Sequence, residues 1–119
     1  MREAGQIALT PFPYTDLSGS KLRPVLLLQE APGGRGDWLV CMVSSRLHQA
    51  VEHFDELVFP EDDDFVATGL KAPSVFRLSR LAVLHAGLML GSIGCVGKGR
   101  LGRARERIAH WITWGESSL

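Results

Sequence analysis

Apolar residues in this chain come in short runs broken by turn formers. Gln6, Ile7, Ala8, Leu9 and Thr10 alternate apolar with smaller or polar side chains. That pattern predicts a strand with one face on a core, ended by Pro11 and Pro13. Residues 13–20 follow as a polar loop rich in Asp, Ser and Gly, longer than a plain hairpin needs, and long loops often carry function. Val25 to Leu28 and Trp38 to Val43 are continuous apolar runs, with Pro32, Gly33, Gly34, Gly36 and Asp37 between them. They read as two central strands joined by a hairpin turn.

The next stretch, residues 47–64, is mostly polar with one short apolar run at Leu57, Val58 and Phe59, so it predicts a loop with a short edge strand and a solvated acidic run from Glu61 to Asp64. Residues 75–78, 81–84 and 88–90 predict three more strands, and the glycine-rich residues 91–99 a bend. From Leu101 onward, Leu101, Ala104, Ile108, Trp111 and Ile112 recur at intervals of three and four with Arg103, Arg105, Glu106 and Arg107 between them, the pattern of an amphipathic helix. Short strands followed by one helix predict an α+β, mainly β fold: a small, partly open barrel closed by a C-terminal helix. At 119 residues the expectation is a single domain over residues 1–119.

Charge narrows the function classes. Thirteen Lys and Arg balance thirteen Asp and Glu, so a grip on nucleic acid through a global positive field is excluded and any such site must be a local patch. Cys41 and Cys95 are far apart, with no CxxC and no His–Cys cluster at metal-ligand spacing. They read as two small core residues of a reduced protein, and no metal or cofactor is expected. The start of the chain lacks a signal-peptide apolar stretch and no apolar run spans a bilayer, so the expected location is the cytoplasm, away from membranes.

Residues 5–28 carry a resemblance. Gly5 precedes the first strand, Pro11, Phe12 and Pro13 follow it, Thr15 and Asp16 lie in the loop, and Lys21, Arg23 and Pro24 stand before an aliphatic strand. This order resembles the opening of MazF/PemK-family toxins, with Gln6 where the family has Asp. Weaker matches lie further along. Cys41 to Ser45 resemble a strand ending in Thr-Ser, residues 69–78 resemble the family's Gly-Leu-Lys-Pro-Ser-Val-Val-Arg stretch with Ala72 as an insertion or local shift, and Ile93 and Gly94 match an Ile-Gly pair before the last helix. The resemblance implies an SH3-like barrel, usually a homodimer, that cuts single-stranded RNA and is held inactive by a cognate antitoxin.

In RNA the 2′-hydroxyl can attack its own phosphate, so such an enzyme needs only groups that move protons and steady charge. Arg23 matches the family's catalytic Arg, and its planar guanidinium suits two phosphate oxygens. Ser44 falls at the catalytic Thr and keeps the hydroxyl, but loses the β-branch that restricts χ1. Tyr14, Thr15, Asp16, Ser18, Ser20 and Lys21 are loop candidates for RNA contact, against plain turn chemistry; Tyr14 and Phe12 could stack on bases, although Phe12 is as suited to a core. Lys71 and Arg77 are candidate phosphate contacts, against solvated surface charges.

His48 is a candidate base close enough in sequence to reach the Ser44 strand, against an exposed loop histidine. Arg100, Arg103, Arg105 and Arg107 read mainly as a solvated helix face. Two other readings stay open: a toxin of the same fold that acts by binding, as a gyrase poison does, and a catalytically weak relative.

Overall fold

The structure, a computed structural model, describes residues 1–11 and 21–115. Its strands are β1 (Gln6–Pro11), β2 (Leu22–Glu30), β3 (Asp37–Ser44), β4 (Glu56–Val58), β5 (Ser74–His85) and β6 (Ser92–Cys95). The helices are α1 (Phe65–Thr68) and α2 (Lys98–Trp114). The strands form one sheet in the order β4-β5-β3-β2-β1-β6, every neighbouring pair antiparallel. This is the mainly β, curled half-barrel with a C-terminal helix that the hydrophobic pattern predicts.

The unbroken apolar runs in β2 and β3 arise because both faces of these central strands are buried. On one face Leu26, Leu28, Cys41 and Val43 join Ile7, Phe76 and Leu78, and α2 covers them with Ala104 and Ile108. Trp111 closes the end of that layer edge-on to Phe54, ring centroids 5.6 Å apart. On the other face Val25, Leu27, Trp38 and Val40 pack with Ala8 and Met89. Each side chain switches face from one residue to the next, so a one-residue slip would exchange the two cores.

Several predicted boundaries differ. Residues 75–78 and 81–84 belong to one long strand, β5, interrupted by a bulge: Cys41 pairs with Leu81 but the next residue, Met42, pairs with Arg77. Leu78, Ser79 and Arg80 are thereby left without partners across the ladder. Residues 88–90 form no strand; a 3-10 turn at Ala86–Leu88 is capped by His85 Nδ1, which accepts from the Gly87 N–H at 2.8 Å. The sixth strand lies instead within the glycine-rich stretch. Gly94 permits it, because a Cβ there would run into the Ala67 carbonyl oxygen and the Thr68 backbone. Cys95 is exposed and only Cys41 is a core residue, which corrects the expectation that both are buried.

The acidic run and the helix arginines are not a pair of solvated faces either. Arg100 is 7% exposed; its Nε and Nη2 donate to both oxygens of Asp64 at 2.8 and 3.0 Å, and Nη1 donates to Glu56 and to the Leu57 carbonyl. Nη2 also reaches Asp62 at 3.2 Å. Arg103 and Arg107 pair with the same Glu56 carboxylate, and Arg105 donates to the Leu28 carbonyl at 2.8 Å. Hydrogen bonding from Arg100 holds the Asp64 carboxyl down at about 2, against the burial that opposes it. Burial works to depress the Arg100 guanidinium, but its bond to Asp64 and the fields of Asp64, Glu56 and Asp62 outweigh that and raise it. The network clamps the first turn of α2 to β4 and to the loop before α1. Among the described residues no helix is long and apolar enough to cross a membrane.

Candidate functional site

A cleft of about 610 Å³ opens at one end of the sheet, where β2 begins, β3 ends and β5 begins. Arg23, Pro24, Ser44, Ser45, Lys71 and Arg77 are among its lining residues. The ladder between β2 and β3 starts at Val25, one residue beyond Pro24, whose nitrogen has no hydrogen to donate. Continued by two residues, the Val25–Met42 register would set Arg23 opposite Ser44. On the other side Arg23 pairs with Thr10 of β1, a fully buried residue whose hydroxyl contacts the Leu88 carbonyl at 3.3 Å. Cross-strand partners share a face, so Arg23, Ser44 and Arg77 lie on the same side of the sheet, grouped around Met42.

The hydroxyl of Ser44 is held from behind. Its Oγ accepts the Arg46 backbone N–H at 3.1 Å, a local turn bond that restrains χ1 in the absence of a β-branch. The bond occupies an acceptor lone pair and leaves the O–H proton available to an incoming oxygen. Lys71 arrives from the loop after α1. That helix ends at Gly69, whose φ of 73° suits glycine and whose Cβ position is taken by the Ile93 carbonyl oxygen, so the chain turns sharply towards the cleft.

The cleft is electrostatically one-sided. Among the described residues its lining contains Arg23, Arg46, Lys71, Arg77 and Arg80, and no Asp or Glu. Among the same residues none of these cations pairs with a carboxylate. The Nε atoms of Arg23 and Arg77 are buried yet have no hydrogen-bond partner there. A buried donor left unsatisfied costs about 1–3 kcal/mol, so these two guanidinium groups favour an anionic acceptor entering the cleft.

The sequence matches the profile of the family described as PemK-like, MazF-like toxins of type II toxin-antitoxin systems over residues 3–112. The chain belongs to this family. A comparison with curated protein sequences gave no match. Among solved structures, the Mycobacterium tuberculosis toxin MazF-mt6 superimposes with a TM-score of 0.66 at 16% identity, covering 91% of this chain and 96% of that one. An endoribonuclease in complex with its cognate antitoxin, from a mycobacterial species, gives a TM-score of 0.67 at 14% identity, over 96% of this chain and 97% of that one. At such identities the likeness is one of fold.

In this MazF-like toxin the fold brings together four of the residues singled out from sequence: Arg23, Ser44, Lys71 and Arg77. Tyr14, Thr15, Asp16, Ser18 and Ser20, with Phe12, lie outside the described residues. Lys21 is exposed ahead of β2 and does not line the cleft. His48 is exposed on a 3-10 turn at Leu47–Gln49, whose Gln49 lines the cleft while His48 does not. Sequence reading missed Arg46, Gln49, Ser74 and Arg80. Arg80 was illegible because strand parity fails at a bulge. Arg46 had a signal: it stands two residues beyond Ser44, within reach of a turn bond to that strand-end hydroxyl.

Proposed function

We propose that this MazF-like toxin is an endoribonuclease that cleaves single-stranded RNA by attack of a 2′-hydroxyl on the adjacent phosphorus. The observation that carries the reading is the guanidinium of Arg23, its buried Nε without a hydrogen-bond partner among the described residues, on the same sheet face as Ser44 in a cleft whose described lining has no acids. In this reaction the 2′-hydroxyl gives up its proton to water as its oxygen bonds to phosphorus, the 5′-oxygen leaves and takes up a proton, and the products are a 2′,3′-cyclic phosphate and a 5′-hydroxyl. The nucleophile belongs to the substrate, so no metal is needed to generate it. As the phosphorane forms, negative charge grows on its non-bridging oxygens. Arg23 donates to one or both, and Ser44 donates its hydroxyl proton from the neighbouring strand. A guanidinium has five N–H donors and no acceptor, so the role of Arg23 is charge stabilisation and proton donation towards the leaving oxygen rather than proton abstraction.

The proposed partners rest on family membership: an antitoxin, as in the mycobacterial complex, and a second copy of the chain. One domain over residues 1–119 and a cytoplasmic site of action complete the proposal. The test is incubation of purified protein with long single-stranded RNA in EDTA, beside Arg23→Ala and Ser44→Ala, with product ends identified. Site-restricted cleavage leaving cyclic phosphate ends, abolished by Arg23→Ala and lowered by about 10²–10³-fold in Ser44→Ala, is the expected result. No cleavage of varied RNAs by well-folded protein would overturn it.

A further inference from the structure

One reacting phosphate accounts for Arg23 and leaves a second buried, unpartnered guanidinium nitrogen, Arg77 Nε, with nothing to do. We propose that Arg77 and Arg80 form a second phosphate subsite, which holds a non-reacting phosphate of the same RNA strand beside the one at Arg23. The inference rests on the nuclease reading for its ligand class but on different residues.

Three observations carry it. Arg77 is not beside Arg23: β3 runs between them, and Arg77 faces Met42, two residues along from Ser44. With strands about 4.8 Å apart and about 3.3 Å per residue, their Cα atoms are separated by roughly 12 Å, a spacing that leaves room for two adjacent phosphates. Arg80, an exposed side chain, joins the lining of the cleft only because of the β5 bulge. The bulge is itself fastened. The Leu78 N–H, freed from the ladder, donates to Asp55 Oδ1 at 2.9 Å, and the other oxygen of that carboxylate accepts the Val51 N–H at 2.8 Å. Leu78 keeps the core face of Phe76, fully buried, and the odd number of unpaired residues from Leu78 to Arg80 brings Arg80 to the cleft. Finally, no acid of the described lining competes for either guanidinium. A carboxylate-bearing peptide has the same charge, but the subsite continues the cleft from Arg23 and Ser44, and a strand held at its reacting phosphate presents the next phosphate at an adjacent position.

The experiment compares short RNAs of randomised base sequence, 2′-O-methylated throughout so that none can be cut, carrying one or two internucleotide phosphates. Affinity for ¹⁵N-labelled protein is read by chemical-shift titration. The expected result is that the second phosphate tightens binding to the native chain about tenfold, the scale of a charge-assisted contact. That gain should fall below about twofold in Arg77→Gln/Arg80→Gln, and should vanish for the native chain when one of the two phosphates is replaced by an uncharged methylphosphonate. Arg80→Gln alone, an exposed change that spares the core, should show a partial loss and guards against misfolding of the double variant. No gain from the second phosphate, a gain that survives in the folded double variant, or tighter binding to an acidic peptide that requires Arg77 and Arg80 would each overturn the subsite. Cleavage of unmethylated RNA by the same preparation tests the nuclease reading separately: cutting without a two-phosphate gain removes only the subsite, and a gain without cutting removes only the nuclease.

Discussion

Replacing Arg100 by Met should be among the most damaging single changes in this chain, although the residue is far in sequence from every candidate site residue. Methionine keeps a long apolar stem but removes the charge. The loss strands Asp64, whose carboxylate is 14% exposed and takes two bonds from Arg100, and removes one of three cations from Glu56, which is 7% exposed. The Leu57 carbonyl loses its 2.7 Å donor as well. Removing one partner of a buried ion pair costs about 3–5 kcal/mol, because the remaining charge is left desolvated. For 119 residues the unfolding entropy is about 0.25 kcal/mol per degree, so Tm should fall by roughly 12–20 °C.

Acid provides an internal check. The Asp64 pKa is lowered to about 2 from 3.8. A depressed folded-state pKa gives stability that is present above the unfolded value and lost as pH falls towards the folded one. The contribution is therefore intact above pH ~4 and disappears towards pH ~2. Allowing for partial exposure of the carboxylate, it amounts to about 1–2 kcal/mol. The assay is thermal unfolding followed by circular dichroism from pH 6 to pH 2, native against Arg100→Met. The gap between the two should narrow by that amount across the window. A loss below about 4 °C at pH 6, or a gap of constant size down to pH 2, would refute the assignment of Arg100 as the clamp between α2 and β4.

Four further outcomes are expected. Gly94→Ala should destabilise by more than about 2 kcal/mol in denaturant titration, since the new methyl group meets the Ala67 and Thr68 backbone with no flexible side chain to give way. A thiol reagent should label Cys95 rapidly in the native state and Cys41 only on unfolding, because Cys41 is fully buried and burial, with the nearby Asp55 charge, raises its thiol far above the usual range. Ser44→Thr should change the single-turnover rate on RNA by no more than about threefold, the number of staggered χ1 wells at stake, because the Arg46 N–H already restrains the serine rotamer. His48→Ala, outside the cleft lining, should alter that rate by less than about twofold; a drop of about 10²-fold or more would return His48 to the role of base.

The barrel was legible because its central strands are buried on both faces, and that condition writes itself into the sequence as unbroken apolar runs such as Val25 to Leu28. The closing helix was legible by its period, although it begins at Lys98 rather than Leu101. What escaped were features whose cause is distant in sequence. Residues 92–95 have the composition of a bend and become a strand because β1 offers an edge and Gly94 lets α1 approach closely. The β5 bulge depends on a carboxylate 23 residues away, Asp55, that takes the Leu78 N–H. The candidate site divided in the same way. Arg23 was visible in its motif with Pro24, whereas Arg80 reaches the cleft by a break in strand alternation that no local pattern announces.

The even charge balance of the chain, which excluded a global positive field, is reconciled with an anion-seeking cleft by where the acids are spent. Glu56 alone engages Arg100, Arg103 and Arg107, and Asp62 and Asp64 engage Arg100 again, so three carboxylates are concentrated on the α2 side of the sheet. Asp55 is committed to the Val51 and Leu78 N–H groups. None of these lines the cleft, where, among the described residues, five cations stand without an acid. Net neutrality is thus compatible with a local excess of positive charge in the cleft. The physical consequence is short-ranged: the cleft field should be felt within about 8–10 Å at physiological ionic strength, while the distant molecule looks neutral. Capture of RNA would then depend on phosphates already inside the cleft rather than on long-range steering, so the association rate should vary little with salt while the dissociation rate rises with it. Stopped-flow association that slows steeply with added salt would contradict this division of charge.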